Sequence, residues 1–252
     1  MTVWALADLH LAISKTDKTM EVFGPRWANY QNRIREQWLE LVSPKDLVLL
    51  PGDLSWAMHL DEAVLDLQWI DALPGTKVMI RGNHDYWWGS MSKLEKACPP
   101  SIHPLHNNAF DWEDISIAGA RLWDTEEFDF DAYIDYIPNQ KQVNPKPAVD
   151  AEERRRSDAK IFERELQRLE LSLKQLNPKA KTKIAMTHYP PVSATLEPSR
   201  AAALLEKYGV DLCCFGHLHN TKLDIPMFGE ARGVRYVLCS ADAIAMRPIQ
   251  VL

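Results

Sequence analysis

The stretch KVMIRGNHD, residues 77–85, decides how the chain is read. Val78, Met79 and Ile80 form an apolar run of strand length, and Gly82 turns the chain at its end. Asn83, His84 and Asp85 follow at once, and each is a residue type that binds metals or moves protons. Four other stretches repeat this design: TVWALADLH (2–10), DLVLLPGD (46–53), TKIAMTHYPP (182–191) and VDLCCFGHLH (210–219). A last strand, GVRYVLCSAD (233–242), stands apart because no such cluster is read at its end.

Helical spacings lie between these strands. Trp27, Tyr30, Ile34, Trp38 and Leu41 form one apolar face, and Leu60, Val64, Leu67 and Ile70 another. A long helix is predicted at about 150–176. Asp150 and Glu153 have capping-box spacing, and Phe162, Leu166, Leu169, Leu173 and Leu176 make its stripe. A short helix is expected over Ser199–Tyr208. Strands alternating with helices predict an α/β layered fold in which one domain takes up residues 1–252. Two stretches break the rhythm. SIHPLHNNAFDWEDISIAG (101–119) reads as short strands around an Asn-Asn turn. Residues 124–148, first acidic and aromatic and then rich in Pro and Asn, read as an insertion or lid.

The 252 residues carry a net charge of −6, which argues against a dedicated nucleic-acid binder. No apolar run is long enough for a membrane span, and the first residues do not resemble a signal peptide. A cytoplasmic protein is expected. Its cysteines, Cys98, Cys213, Cys214 and Cys239, show no CxxC pair and are read as reduced thiols.

The candidate chemistry is mostly oxygen and imidazole. In extended chain, Asp8 and His10 point the same way, as do His217 and His219. Asp53 follows a glycine that permits a tight turn, Asn83 offers an amide oxygen, and His188 ends its strand. His84 projects differently from Asn83 and is free for proton transfer. Cys213 and Cys214 are adjacent on a strand and cannot both face one metal, so they read as apolar core. Taken singly these signals are weak. Their strength is that all fall, in order, at strand ends, where α/β sheets bind ligands.

D-L-H at 8–10, G-D at 52–53, G-N-H-D at 82–85, His188 and G-H-L-H at 216–219 together resemble the calcineurin-like metallophosphoesterase superfamily. The resemblance implies a four-layered αββα sandwich and two divalent metals, Mn²⁺ favoured and Fe or Zn²⁺ possible. It implies that Asp8, His10 and His219 hold the first metal, that Asn83, His188 and His217 hold the second, and that Asp53 bridges. His84 is implied to contact the phosphate and protonate the leaving group. Asp85 is expected to support its loop. The expected activity is hydrolysis of a phosphodiester or pyrophosphate bond of a small molecule or nucleotide. Rival expectations are a nuclease, a lipid-linked nucleotide pyrophosphatase of the same fold, and a non-catalytic metal-binding scaffold. Trp56, Tyr86, Trp87 and Trp88 are candidates for substrate stacking or for core packing. Phe128, Phe130, Tyr133 and Tyr136 are placed to cover a nucleoside or an acyl chain, while Asp129, Asp131 and Asp135 would repel a long polyanion. Surface ion pairing is expected of Arg81 and Arg121, and solvent exposure of Arg154–Arg156.

Overall fold

The structure is a computed structural model, and it describes residues 1–137 and 150–252. The part of the expected lid that falls at 138–148 therefore lies outside the described residues. Four short strands run parallel in the first sheet: β1 (Val3–Ala5), β2 (Leu47–Leu50), β3 (Thr76–Met79) and β4 (Ile102–Pro104). A C-terminal strand, β11 (Ile249–Gln250), joins β1 antiparallel and gives the order β11-β1-β2-β3-β4. The second sheet contains β5 (Ala109–Trp112), β6 (Ile115–Ala120), β7 (Thr182–Thr187), β8 (Leu212–Phe215), β9 (Gly229–Ala231) and β10 (Val234–Leu238). Its order is β5-β6-β7-β8-β10-β9, with a parallel centre and antiparallel edges.

Side-chain alternation along these strands builds the layers. Val48, Leu50 and Met79 pack outward against α1 (Tyr30–Leu41), α2 (Leu60–Asp71) and α3 (Met91–Ala97). Leu47, Leu49, Val78 and Ile80 point the other way and meet Ile117, Ile184, Met186 and Cys214 of the second sheet. Ala118, Ala185, Cys213 and Phe215 face α4 (Ala151–Leu173) and α5 (Arg200–Lys207). The result is the expected α/β sandwich, helices outside and two sheets within. Cys213 and Cys214 fall in different layers, as strand alternation requires.

Three local expectations change. Asn107-Asn108 is not a hairpin turn. β4 pairs only with β3, and β5 belongs to the other sheet, so this link carries the chain between sheets. The hairpin lies at Glu113-Asp114, where Trp112 faces Ile115 and Glu113 takes φ 53°. α4 ends at Leu173 rather than 176, and the Asp150 side chain makes no capping bond. Only the Asp150 carbonyl takes part, accepting from Arg154 N at 2.9 Å. At α5 the cap is complete, because Ser199 Oγ accepts from Ala202 N at 2.9 Å.

Arg121 is buried and not at the surface. Its Nη2 donates to Glu165 Oε1 of α4 at 3.0 Å, and Arg168 reaches the same oxygen at 2.8 Å. Arg154 to Arg156 are exposed, as expected. Removing one partner of a buried ion pair leaves the other charge uncompensated, at about 3–5 kcal/mol. Glu165→Ala is therefore expected to lower unfolding free energy by about that amount, read by urea denaturation. A loss below about 1 kcal/mol would show that water reaches Arg121 and solvates it once Glu165 is gone.

Candidate metal centre

The carboxyl ends of β1, β2, β3, β7 and β8 lie along one rim, and each delivers its loop there. The loops are zipped together by backbone. Asp8 N donates to Gly52 O at 3.0 Å, and His10 N to Asp53 O at 2.9 Å. Two glycines permit the close approach. A Cβ on Gly82 would lie 2.0 Å from Asp53 Oδ1, and one on Gly216 would lie 2.5 Å from Asp8 Oδ2.

Asp8 and His10 do converge, though not through extended chain. Asp8 has φ 60°, His10 φ 43°, Asp53 φ 54° and His217 φ 73°. Left-handed kinks turn these side chains inward, at residue types that tolerate such backbone better than most. His217 and His219 likewise converge from a loop rather than a strand.

Two clusters of potential ligands result: Asp8, His10 and His219, and Asp8, Asp53 and His188. Asp8 belongs to both. Asp53 Oδ2 lies 3.4 Å from His188 Nε2 and 3.6 Å from His10 Nε2, so it faces both groups. Asn83 Oδ1 stands 2.7 Å from His188 Nε2 and 3.1 Å from His217 Nδ1. His10 Nε2 and His219 Nε2 face each other at 3.3 Å. All seven expected ligand residues thus meet in one place.

The donor set fits cations. His219 Nδ1 donates to Asp242 Oδ1 at 2.7 Å, and His188 Nδ1 to Pro51 O at 2.9 Å. In the neutral imidazole each Nε2 then offers its lone pair toward other acceptors, and such a group calls for a positive charge, a proton or a metal ion. Proton affinities report the same field. Burial alone would push His188 down, but the charge and hydrogen bond of Asp53 and the charge of Asp8 raise it to about 9. His219 is also raised to about 9 against burial, by Asp242 and Asp8. Burial raises Asp8 to about 6. His10 and His217, where burial prevails, are held well below the usual imidazole range.

His84 belongs to neither cluster. Its backbone N donates to Asp53 Oδ1 at 2.8 Å. Its ring packs 4.8 Å from the Trp56 ring and 5.6 Å from that of His10, and burial lowers its proton affinity. Trp87 and Trp88 are core residues, whereas Tyr86 is exposed beside His84. Asp85 binds the loops together, with its carboxylate accepting from Gly82 N, Asp53 N, Leu54 N, Ser55 N and Trp87 Nε1. Asp242 escapes the sequence reading. It lies just beyond the late strand, and its trace in the sequence is the acidic end of CSAD.

A cavity of about 310 Å³ opens on the centre, lined by His10, His84, His217 and His219 on one side. The described part of the expected lid forms the opposite wall. Ile134 pairs with Thr221, Asp135 N donates to Asn220 O and Lys222 N to Tyr133 O, each at 2.9 Å. That wall is fastened to the loop following His219. Phe128 and Phe130 face a different cavity, beyond His217. Among the described residues no helix is long and apolar enough to cross a membrane.

No curated protein matches the chain. Among solved structures, phosphopantetheinyl hydrolase from Mycobacterium tuberculosis is similar at 16% identity and TM-score 0.50, covering 100% of this chain and 95% of that one. A protein of unknown function from Aquifex aeolicus matches at 14% identity and TM-score 0.46, over 99% and 95% of the two chains. Residues 1–221 match the calcineurin-like phosphoesterase family, and the loops after β1, β2, β3, β7 and β8 all fall within that match, whereas Asp242 lies beyond it. The chain is therefore a metallophosphoesterase and belongs to the calcineurin-like phosphoesterase family.

Proposed function

We propose that the protein hydrolyses a phosphodiester or pyrophosphate bond of a small molecule in the cytoplasm, with two divalent ions, Mn²⁺ first among them. Asp8, His10 and His219 are assigned to one ion, Asn83, His188 and His217 to the other, and Asp53 to both. The carrying observation is the convergence of potential ligand atoms of Asp53, His188 and Asn83. Bound divalent ions supply charge for the phosphoryl oxygens and lower the pKa of the attacking water.

The chain's own residues do the rest. Asp242 holds the His219 imidazole in one tautomer, and the Pro51 carbonyl holds His188. His84 is assigned to donate a hydrogen bond to a phosphoryl oxygen and then release its proton to the leaving oxygen. Its lowered proton affinity makes that release easier. Asp129, Asp131 and Asp135 in the described lid disfavour a long polyanion, which weighs against a nuclease.

The test is metal analysis with a substrate panel in Mn²⁺. The panel contains a monoester, a diester, a cyclic nucleotide, a nucleoside diphosphate sugar and a phosphopantetheinyl ester, the group in the M. tuberculosis neighbour's name. No bound metal and no turnover would sink the reading. His84→Ala is expected to keep both ions and lose about 10²–10⁴-fold in turnover. Loss of metal in step with activity would make His84 a ligand instead.

A further inference from the structure

We infer that the cavity beside the metal centre receives an uncharged, mainly apolar organic group carried on the scissile phosphate, and not a second phosphate. This rests on the phosphoesterase reading and names the kind of substrate that reading leaves open.

The cavity has two unlike sides. One is the imidazole wall that ends in the metal clusters. The other consists of Met20, Phe23, Trp27, Trp56, Ile134 and Ile137, and Tyr136 sits at its edge. Among the described residues no lysine or arginine lines it, and Asp135 is its only carboxylate. Lys18 Nζ is 5.8 Å from the Trp56 ring centroid but does not line the space. A second phosphate seated against the apolar side would lose its hydration and find no lysine or arginine among the described residues to replace it. An apolar group would gain from the same transfer. The indole Nε1 atoms of Trp27 and Trp56 are buried, without a hydrogen-bond partner among the described residues, so neither offers the cavity a donor. The cavity across His217 is mixed. Asp124, Asp129, Asp131, Asp158 and Arg154 line it beside Phe128, Phe130 and Tyr189, so an apolar group there would meet several carboxylates. Among the described residues the more apolar of the two chambers is the one beside His10 and His84. Its volume of about 310 Å³ sits at the lower end of pockets that enclose an organic ligand.

Trp56 stacks on His10 at 4.9 Å and cannot be changed without disturbing the centre. The test therefore uses Phe23→Ser and Ile134→Ser, with Ile137→Ser in reserve should one fail to fold. Methylphosphonate, hexylphosphonate and methylenediphosphonate are titrated into the Mn²⁺-loaded protein by calorimetry, and bis(4-nitrophenyl) phosphate turnover is measured beside them. Hexylphosphonate is expected to bind about 30-fold or more tightly than methylphosphonate, a fraction of the limit for five fully buried methylenes. The serine variants should reduce that preference to about 3-fold or less and leave methylphosphonate affinity unchanged. Equal binding of the two alkyl phosphonates, with turnover intact, overturns the inference and spares the phosphoesterase reading. So does tightest binding of methylenediphosphonate. Absence of both binding and turnover in metal-loaded protein overturns both.

Discussion

Asp53→Asn is expected to deprive the centre of metal and lower turnover by about 10³-fold or more, a loss of about 4 kcal/mol of transition-state stabilisation. The two carboxylate oxygens have different duties. Oδ1 accepts the backbone N–H of His84 at 2.8 Å, and Oδ2 faces His188 and His10 at 3.4 and 3.6 Å. Burial alone would raise the Asp53 pKa, yet the charge and hydrogen bond of His188, with His10 beside it, hold it well below the usual carboxylate range. It is thus a fixed negative charge where both groups of acceptors meet. An amide has the same shape, but it removes that charge and turns N–H groups toward a donor or toward the ligand space. Metal analysis with steady-state turnover checks this. Two bound ions at wild-type affinity, with turnover within about 10-fold, would move the shared role to Asp8 alone.

Asp85→Ala is expected to cost more in stability than any other single change near the centre, about 5 kcal/mol or more. Five N–H groups converge on this one carboxylate. Each buried donor left without an acceptor costs about 1–3 kcal/mol, against a total stability of about 5–15 kcal/mol for a typical protein. Metal-free protein should show the loss directly in its urea midpoint, separating it from any change in metal binding. Asp85→Asn should fall between. It can keep an oxygen toward Leu54, Ser55 and Trp87 while setting an NH₂ group against Gly82 N and Asp53 N. A midpoint within experimental error of wild type for the alanine variant would show that water replaces the carboxylate.

Strand-to-loop junctions were legible because two simple rules coincide at them. A fully apolar run such as LVLL or LCCF must be buried, and metal-binding residue types immediately afterwards have only the rim to occupy. All seven candidate ligand residues stand out that way. What failed was geometry decided by distant partners. β4 and β5 are neighbours in sequence, yet each satisfies its edge in a different sheet, and no local pattern around Asn107-Asn108 encodes that choice. Two-residue alternation gave the right convergence of Asp8 and His10 for the wrong reason, because a left-handed backbone leaves no periodic trace. Asp242 was missed because a single carboxylate after Cys-Ser-Ala carries no signal until His219 is seen against it. Arg121 was misjudged because its partner, Glu165, lies 44 residues away.

The left-handed backbone at Asp8, His10, Asp53 and His217 has a consequence for how this fold can vary. Glycine is the residue such conformations favour, so glycine at any of these four positions relaxes the main chain. It also deletes a donor atom. The most comfortable substitution for the chain is thus the most damaging for the chemistry. Random mutagenesis selected for folding alone should drift toward inactive variants here, and only a selection that demands turnover would keep the four side chains in place.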